Sequence, residues 1–149
     1  MLKTKLLHPQ VLEALGRAGH HSKVVIADGN YPAASTLGPN ARQVSLNLMP
    51  GVVSATQVLE ALIAAMPIEA AYAMDYERSG PYALSQDPPI WAEYRRLLRE
   101  TDTQGELKLI EKWKFYEFAS DKDVVLTVQT ADQRLFANLV LVTGVVKPG

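Results

Sequence analysis

The sequence predicts an α/β fold in which a mixed or parallel β-sheet lies between helices in three layers. Helix-like and strand-like segments alternate along all 149 residues, and the strand-like segments are short apolar runs. No repeat or low-complexity linker divides the chain, and its composition, 48% hydrophobic and 21% charged, is that of a globular protein. We therefore expect one domain over residues 1–149, because such a chain can bury roughly two thirds of its unfolded surface.

The first elements are marked by clear start and stop signals. Apolar residues at helical spacing predict a helix over Pro9–Ala18, which begins at a proline and ends before Gly19. The Val/Val/Ile run in Lys23–Ala27 has no polar face and predicts a strand covered by helices on both sides. The turn-forming residues 28–32 follow it, and a second strand is predicted over 43–48.

Later elements follow the same alternation. Ser54 and Gln57 have the spacing of a capping box and open a second helix, which Pro67 ends. Ile90–Glu100 carries aromatic and leucine residues on one face and predicts a third helix, whose arginines we interpret as facing water. The remaining predicted elements are a strand over 70–76, a short strand over 107–110, a helix over 112–120, and strands over 124–130 and 136–142 joined by a hairpin or crossover turn at 131–134.

Charge and composition exclude several classes of function. Fifteen basic and sixteen acidic residues leave a net charge of -1, which provides no overall field for nucleic acid or an anionic membrane. The absence of cysteine excludes disulfides and thiolate sites, and no apolar window approaches the roughly 20 residues of a membrane span. Motifs for phosphate loops, metal-binding histidine pairs and serine nucleophiles are absent. We expect a cytoplasmic protein with a small or neutral partner and no metal site.

Titratable residues flank the first predicted strand. His20 and His21 precede it and Asp28 follows it, in a chain with only three histidines. An imidazole can exchange protons near neutral pH, although a histidine after a helix also interacts favourably with the helix dipole. Asp28 is ordinary turn material as well, but ligands of α/β sheets commonly bind at carboxyl ends of strands. His8, directly before a helix, has the position of a structural or solvent-facing residue.

Two further features have both a structural and a functional interpretation. The aromatic segment Trp113–Phe118 is typical of a core or subunit interface, but it could also form the wall of a pocket for a hydroxyl-bearing ligand. Asn138 interrupts an apolar run, and a buried amide must bond either to backbone or to a ligand.

Short motifs follow one another in a fixed order along nearly the whole chain. They are MLKT at residues 1–4, Gly19-His20, Asp28, Tyr31-Pro32-Ala33, Phe115-Tyr116-Glu117, Phe136-Ala137-Asn138 and Gly144-Val145. This set resembles the D-ribose pyranase / L-fucose mutarotase (RbsD/FucU) family, with a Phe-Tyr-Glu element closer to the fucose-type branch. The resemblance implies an RbsD-like fold and a cofactor-independent isomerase that interconverts anomers or ring forms of a free monosaccharide. It also implies a ring-shaped homo-oligomer of pentamer or decamer type, with sites near subunit boundaries.

The resemblance also assigns roles to individual residues. His20 would be the general acid/base, and the substrate-binding residues would be Asp28, Tyr31, Lys112, Tyr116, Phe136 and Asn138. Fucose-type members have Arg at Lys112, and the family commonly has Tyr at Phe136, so hydroxyl recognition and one phenol differ here. A non-catalytic monosaccharide-binding protein associated with uptake is the alternative, and a purely structural oligomer is a third reading.

Overall fold

The structure, a computed structural model, describes residues 1–149 as one mixed six-stranded sheet with helices on both faces. The elements are α1 (Pro9–Arg17), β1 (Lys23–Ala27), a 3-10 turn (Ala33–Ser35), β2 (Arg42–Ser45), α2 (Ala55–Ile63), β3 (Ile68–Met74), α3 (Pro89–Leu98), β4 (Lys108–Ile110), α4 (Lys112–Ala119), β5 (Val124–Gln129) and β6 (Leu139–Thr143). The predicted α/β fold is confirmed.

Strand direction gives the sheet two chemically different edges. The strand order is β2-β5-β1-β6-β3-β4, and β6 runs antiparallel to both of its neighbours while every other pair is parallel. The carboxyl ends of β1 to β5 and the beginning of β6 therefore lie together, at what we term the carboxyl edge. The opposite side, where β1 to β5 begin and β6 ends, is the amino edge.

The alternation of side chains along β1 joins two apolar layers. Val24 and Ile26 pack in the larger cluster with α1, α2 and α3, whereas Val25 and Ala27 pack in the smaller cluster with Phe115 of α4. All five residues of β1 are buried, as the run without a polar face predicted. Burying each large aliphatic side chain contributes about 1.5–3 kcal/mol.

Three strand boundaries differ from the predicted ones. β2 ends at Ser45 because the chain turns back at residues 48–52, where the Leu48 N–H donates to the Val52 carbonyl at 2.8 Å. β3 already begins at Ile68, directly after Pro67. β6 begins only at Leu139, because Phe136 adopts a left-handed conformation with φ 56° that interrupts extended backbone.

The connection from β5 to β6 is a crossover rather than a hairpin. β1 lies between these two strands, so they do not pair. The connection is held by Asp132, which is 2% exposed and accepts hydrogen bonds from the Arg134 side chain and from the Ala55 N–H at the start of α2. The predicted capping box at Ser54 and Gln57 is present beside it.

None of the four helices has the length and apolar character that a membrane-spanning helix requires.

The Asp132–Arg134 pair should stabilise the fold in its ionised form. Burial alone would raise the pKa of Asp132, but hydrogen bonds from Arg134 and from backbone N–H groups outweigh it, and the pKa is lowered. A lowered carboxyl pKa adds stability above the unfolded value of about 3.9, and this contribution is lost as the pH falls below it.

We expect Asp132→Asn to lower the free energy of unfolding at pH 7 by about 1–3 kcal/mol, because it removes a charged acceptor from several buried donors. Urea denaturation measures the change, and the difference from the parent should shrink as the pH is lowered through 4. Asp123→Asn, at an exposed carboxylate paired with Lys122, is the matched control and should change little. Equal effects of the two substitutions would contradict the expectation.

Candidate functional site

A cavity of about 510 Å³ opens at the carboxyl edge of the sheet. Its volume is in the range of small-molecule sites. Six of the seven residues assigned from the sequence line it, namely Asp28, Tyr31, Lys112, Tyr116, Phe136 and Asn138. These residues come from the ends of β1 and β4 and from the segment before β6, so strand direction brings them together.

Asp28 is held in the lining of this cavity by several hydrogen bonds. Its backbone N–H donates to Oδ1 of Asn138 at 2.8 Å, and its own Oδ1 accepts from the N–H of Asn30 at 2.9 Å. The Gln129 side chain donates to the Asp28 carbonyl at 2.7 Å. Asp28 is only 4% exposed, and burial raises its pKa even though backbone hydrogen bonds act in the opposite direction.

Asn138 presents a free donor to the site. Its Oδ1 is occupied by the Asp28 N–H, which fixes the orientation of the amide because only the oxygen can accept. The side-chain NH₂ group makes no hydrogen bond within the chain and remains available. The buried amide at this position therefore bonds to backbone through one end and can bond to a ligand through the other.

The segment from Phe136 to Asn138 is anchored by helix α3. The indole N–H of Trp91 donates to the Phe136 carbonyl at 2.9 Å, and the Tyr94 hydroxyl donates to the Ala137 carbonyl at 2.5 Å. Both donors belong to fully buried side chains. The left-handed backbone of Phe136 is thus held by α3, while its ring lines the cavity.

Aromatic rings form one wall of the cavity. Tyr31 stacks on Tyr116 with ring centroids 5.6 Å apart, and Trp113 lies 5.8 Å from Tyr116. The Tyr31 hydroxyl is buried without a hydrogen-bond partner, and burial raises its pKa, so it remains a neutral phenol. Part of the predicted aromatic segment therefore lines the cavity, while Phe115 is fully buried in the core.

Lys112 is the only cationic residue in the cavity lining. It is the first residue of α4, and its position is set by Glu111, whose carboxylate caps the helix by accepting from the N–H groups of Trp113 and Lys114. The Lys112 ammonium forms no ion pair and lies 4.9 Å from the Trp113 ring centroid.

Sequence reasoning missed six further residues of the lining, namely Asn30, Met74, Asp75, Glu77, Tyr82 and Leu135. Asp75 directly follows β3, just as Asp28 directly follows β1, so the same rule about strand ends could have found it. Arg78 donates to Asp75 at 2.7 Å. Glu77 and Tyr82 lie in the polar loop before α3, where no local pattern marks them.

His20 does not lie in this cavity within one chain. It precedes β1 at the amino edge, and the five residues of β1 alone span about 13 Å. There its Nε2 lies 2.9 Å from Oε2 of Glu69, while Nδ1 of His21 lies 3.1 Å from Oε1 of the same carboxylate. Glu69 was not predicted, because it is 49 positions away from His20 in the chain.

The whole chain has relatives of known family. Residues 1–146 match the RbsD / FucU transport protein family. The chain belongs to the RbsD/FucU family. The sequence resemblance is thereby confirmed.

The relatives of this RbsD/FucU member include fucose mutarotases and D-ribose pyranases. The chain is 32% identical to a fucose mutarotase of Mus musculus, over 97% of this chain and 94% of that protein. It is 31% identical to a D-ribose pyranase of Variovorax paradoxus, over 97% of this chain and 98% of that protein. The solved structure of the fucose mutarotase in complex with L-fucose from Streptococcus pneumoniae is 25% identical, with a TM-score of 0.79, covering 99% of this chain and 100% of that chain.

The ionised carboxylate of Asp28 should lower the stability of the folded protein. Because its pKa is raised in the folded protein, the folded state loses stability as the pH rises from the unfolded value of about 3.9 through the folded pKa. We expect Asp28→Asn to raise the melting temperature at pH 7, since the amide keeps the acceptor for Asn30 without a buried charge. The gain over the parent should shrink near pH 4. A lower melting temperature at pH 7 would contradict this prediction.

Proposed function

We propose that this protein is a cofactor-independent isomerase that interconverts anomers or ring forms of a free monosaccharide in the cytoplasm, with an L-fucose-like sugar as substrate. The observation that carries the proposal is the cavity that Asp28, Asn138 and Lys112 line together with aromatic side chains. Carboxylate, amide and ammonium groups bind sugar hydroxyls, and aromatic faces cover the apolar faces of a pyranose. The names of the relatives supply the substrate class.

The charges of the lining favour an uncharged sugar. Three carboxylates, those of Asp28, Asp75 and Glu77, line a cavity with a single ammonium, that of Lys112, and Arg78 compensates only the charge of Asp75. Like charges brought together without compensation are unfavourable, so a sugar phosphate or a uronate would be repelled. Asp28 accepts hydrogen bonds from hydroxyls, whereas Lys112 and the free NH₂ of Asn138 donate them.

The reaction needs proton transfer and no redox chemistry. Removing the proton of the anomeric hydroxyl and protonating the ring oxygen opens the hemiacetal, and closure on the other face of the carbonyl gives the other anomer. An imidazole can accept the proton of the anomeric hydroxyl and deliver it to the ring oxygen, and both transfers run in reverse on ring closure; such a group contributes about 10²- to 10⁴-fold to the rate. His20 is this acid/base in our proposal.

His20 reaches the sugar from a second copy of the chain. Within one chain it lies at the amino edge, and the cavity lies at the carboxyl edge. A homo-oligomer in which the amino edge of one copy approaches the carboxyl edge of the next would complete each site, and a closed ring satisfies this head-to-tail contact in every copy.

Phe136 requires a substitute for the phenol that the family commonly has at this position. Tyr116 lines the same cavity and stacks on Tyr31, whose unpaired hydroxyl adds a second phenol. We assign the wall to Tyr31 and Phe136 and the auxiliary hydroxyl to Tyr116.

A non-catalytic monosaccharide-binding protein is the second candidate. It is favoured by the distance between His20 and the cavity in one chain and by the missing phenol at Phe136. It predicts that a sugar raises the melting temperature without accelerating its own anomer exchange.

Saturation-transfer NMR across fucose, ribose, galactose and other common monosaccharides separates the two functions. We expect exchange to be accelerated, most strongly for L-fucose or a close analogue. Stabilisation by a sugar with no accelerated exchange for any member of the panel would favour the binding protein. Exchange without any effect of Asp28→Asn would remove the proposed cavity from the mechanism.

The two adjacent histidines should differ in effect. We expect His20→Ala to lower the exchange rate by about 10²-fold or more, because it removes the acid/base group. His21→Asn should retain most of the activity, and asparagine also tolerates the left-handed backbone of this position, φ 68°. NMR exchange rates at saturating sugar measure both effects. The reverse ranking would show that the wrong imidazole was assigned.

A shared site should allow two inactive variants to complement each other. His20→Ala and Asp28→Asn subunits, unfolded together and reassembled, should recover activity in about a quarter of the sites of a randomly mixed ring. Each recovered site takes His20 from one variant and Asp28 from the other. The unmixed variants treated in the same way are the controls, and absence of recovery in verified mixed oligomers would place both residues in one chain's site.

A further inference from the structure

The side chains of His20, His21 and Glu69 lie close together at the amino edge. One ring nitrogen from each of His20 and His21 and a carboxylate oxygen of Glu69 all lie within 4.8 Å of one another. The two imidazole rings stack with centroids 3.7 Å apart and 23° between their planes, so both rings face the same carboxylate. Glu69 forms no ion pair with any lysine or arginine.

The backbone around the cluster is well fixed. The His21 N–H donates to the Thr143 carbonyl at 3.0 Å, and the Ser22 N–H donates to the Gly19 carbonyl at 3.1 Å. Glu69 belongs to β3, which pairs with β6 on one side. The ends of the two imidazoles are accessible, since the His20 and His21 side chains are 44% and 71% exposed.

The donor set matches a borderline transition metal. Two imidazole nitrogens and one carboxylate suit Zn²⁺, whereas Mg²⁺ and Ca²⁺ prefer oxygen ligands alone. In tetrahedral zinc, bonds of about 2.0–2.2 Å separate ligand atoms by about 3.3–3.6 Å, so rotation of the exposed side chains from within 4.8 Å of one another would close the site. Three protein ligands leave a fourth position open to water or to another group.

We propose that His20, His21 and Glu69 form a Zn²⁺-binding site, and that zinc occupancy inhibits sugar isomerisation by taking the lone pair of His20. Zinc bound to Nε2 replaces the contact of that nitrogen with Glu69. The inhibition, though not the binding, rests on the function proposed above. His21, which that mechanism does not use, acts here as a ligand.

The sequence shows no metal-binding motif because this site combines residues that are far apart in the chain. The expectation of no metal came from the spacing of the histidines alone, because His8 is far away and adjacent histidines do not share a helical face. Glu69 becomes a neighbour of His20 only because β6 lies between β1 and β3 and brings their beginnings to the same edge.

Zinc binding is tested by calorimetric titration of ZnCl₂ into the purified, metal-free oligomer. We expect one zinc ion per chain for the parent and for His8→Ala, the matched control with one imidazole fewer. His21→Asn and Glu69→Gln should each raise the Kd about tenfold or more. MgCl₂ should give no saturable binding. Absence of saturable zinc binding to the parent, or parent-like affinity in both variants, would overturn the proposal.

The inhibition is tested by the same zinc titration during NMR anomer exchange. Zinc should slow exchange in the parent and in His8→Ala, and a chelator should restore it, whereas His21→Asn should remain active at the same zinc concentration. Zinc that binds through Glu69 and His21 but leaves exchange unchanged would overturn the role of His20 as a ligand. If no exchange occurs even without zinc, the proposed isomerase fails while the calorimetric result still decides the metal site.

Discussion

The direction of β6 is the constraint on which the rest of the molecule depends. It is the one antiparallel strand, and it lies between β1 and β3, so its first residues meet the last residues of its neighbours. The hydrogen bond from the Asp28 N–H to Asn138 joins the end of β1 to the segment before β6 at that point, and Asp75 follows from β3. The same geometry brings the beginning of β1 to that of β3 at the opposite edge, where His20 meets Glu69.

The cavity is rigid because its polar residues are supported from the core. Trp91 and Tyr94 are buried in full, yet each donates a hydrogen bond to the segment that carries Phe136 and Asn138. Their burial stabilises the fold, and their polar ends determine where that segment lies. Asp28 has the opposite effect on stability, since a buried carboxylate whose pKa is raised destabilises the fold when it is ionised.

Each edge of one chain is chemically incomplete for the proposed reaction. The carboxyl edge has the cavity whose polar groups we propose to bind sugar hydroxyls, and the amino edge has His20, the acid/base of our proposal. An assembly that brings unlike edges together would make activity depend on association, and it would place the His20–His21–Glu69 cluster at the boundary of the site. A metal ion at that cluster would then act on the acid/base without entering the sugar cavity.

The sequence by itself determined the elements, because apolar periodicity, Pro9, Gly19 and the capping box at Ser54 act locally. It also indicated six residues of the cavity, Asp28 through the rule that ligands bind at strand ends and the others mainly through the family resemblance of the ordered motifs. Local pattern could not place the start of β6, because the left-handed Phe136 is held by Trp91 and Tyr94 from a helix about 40 residues earlier. Only the tertiary structure decided that Asp75 joins the cavity, that Glu69 pairs with both histidines and that His20 lies at the other edge, since strand order and direction depend on contacts between segments far apart in the chain.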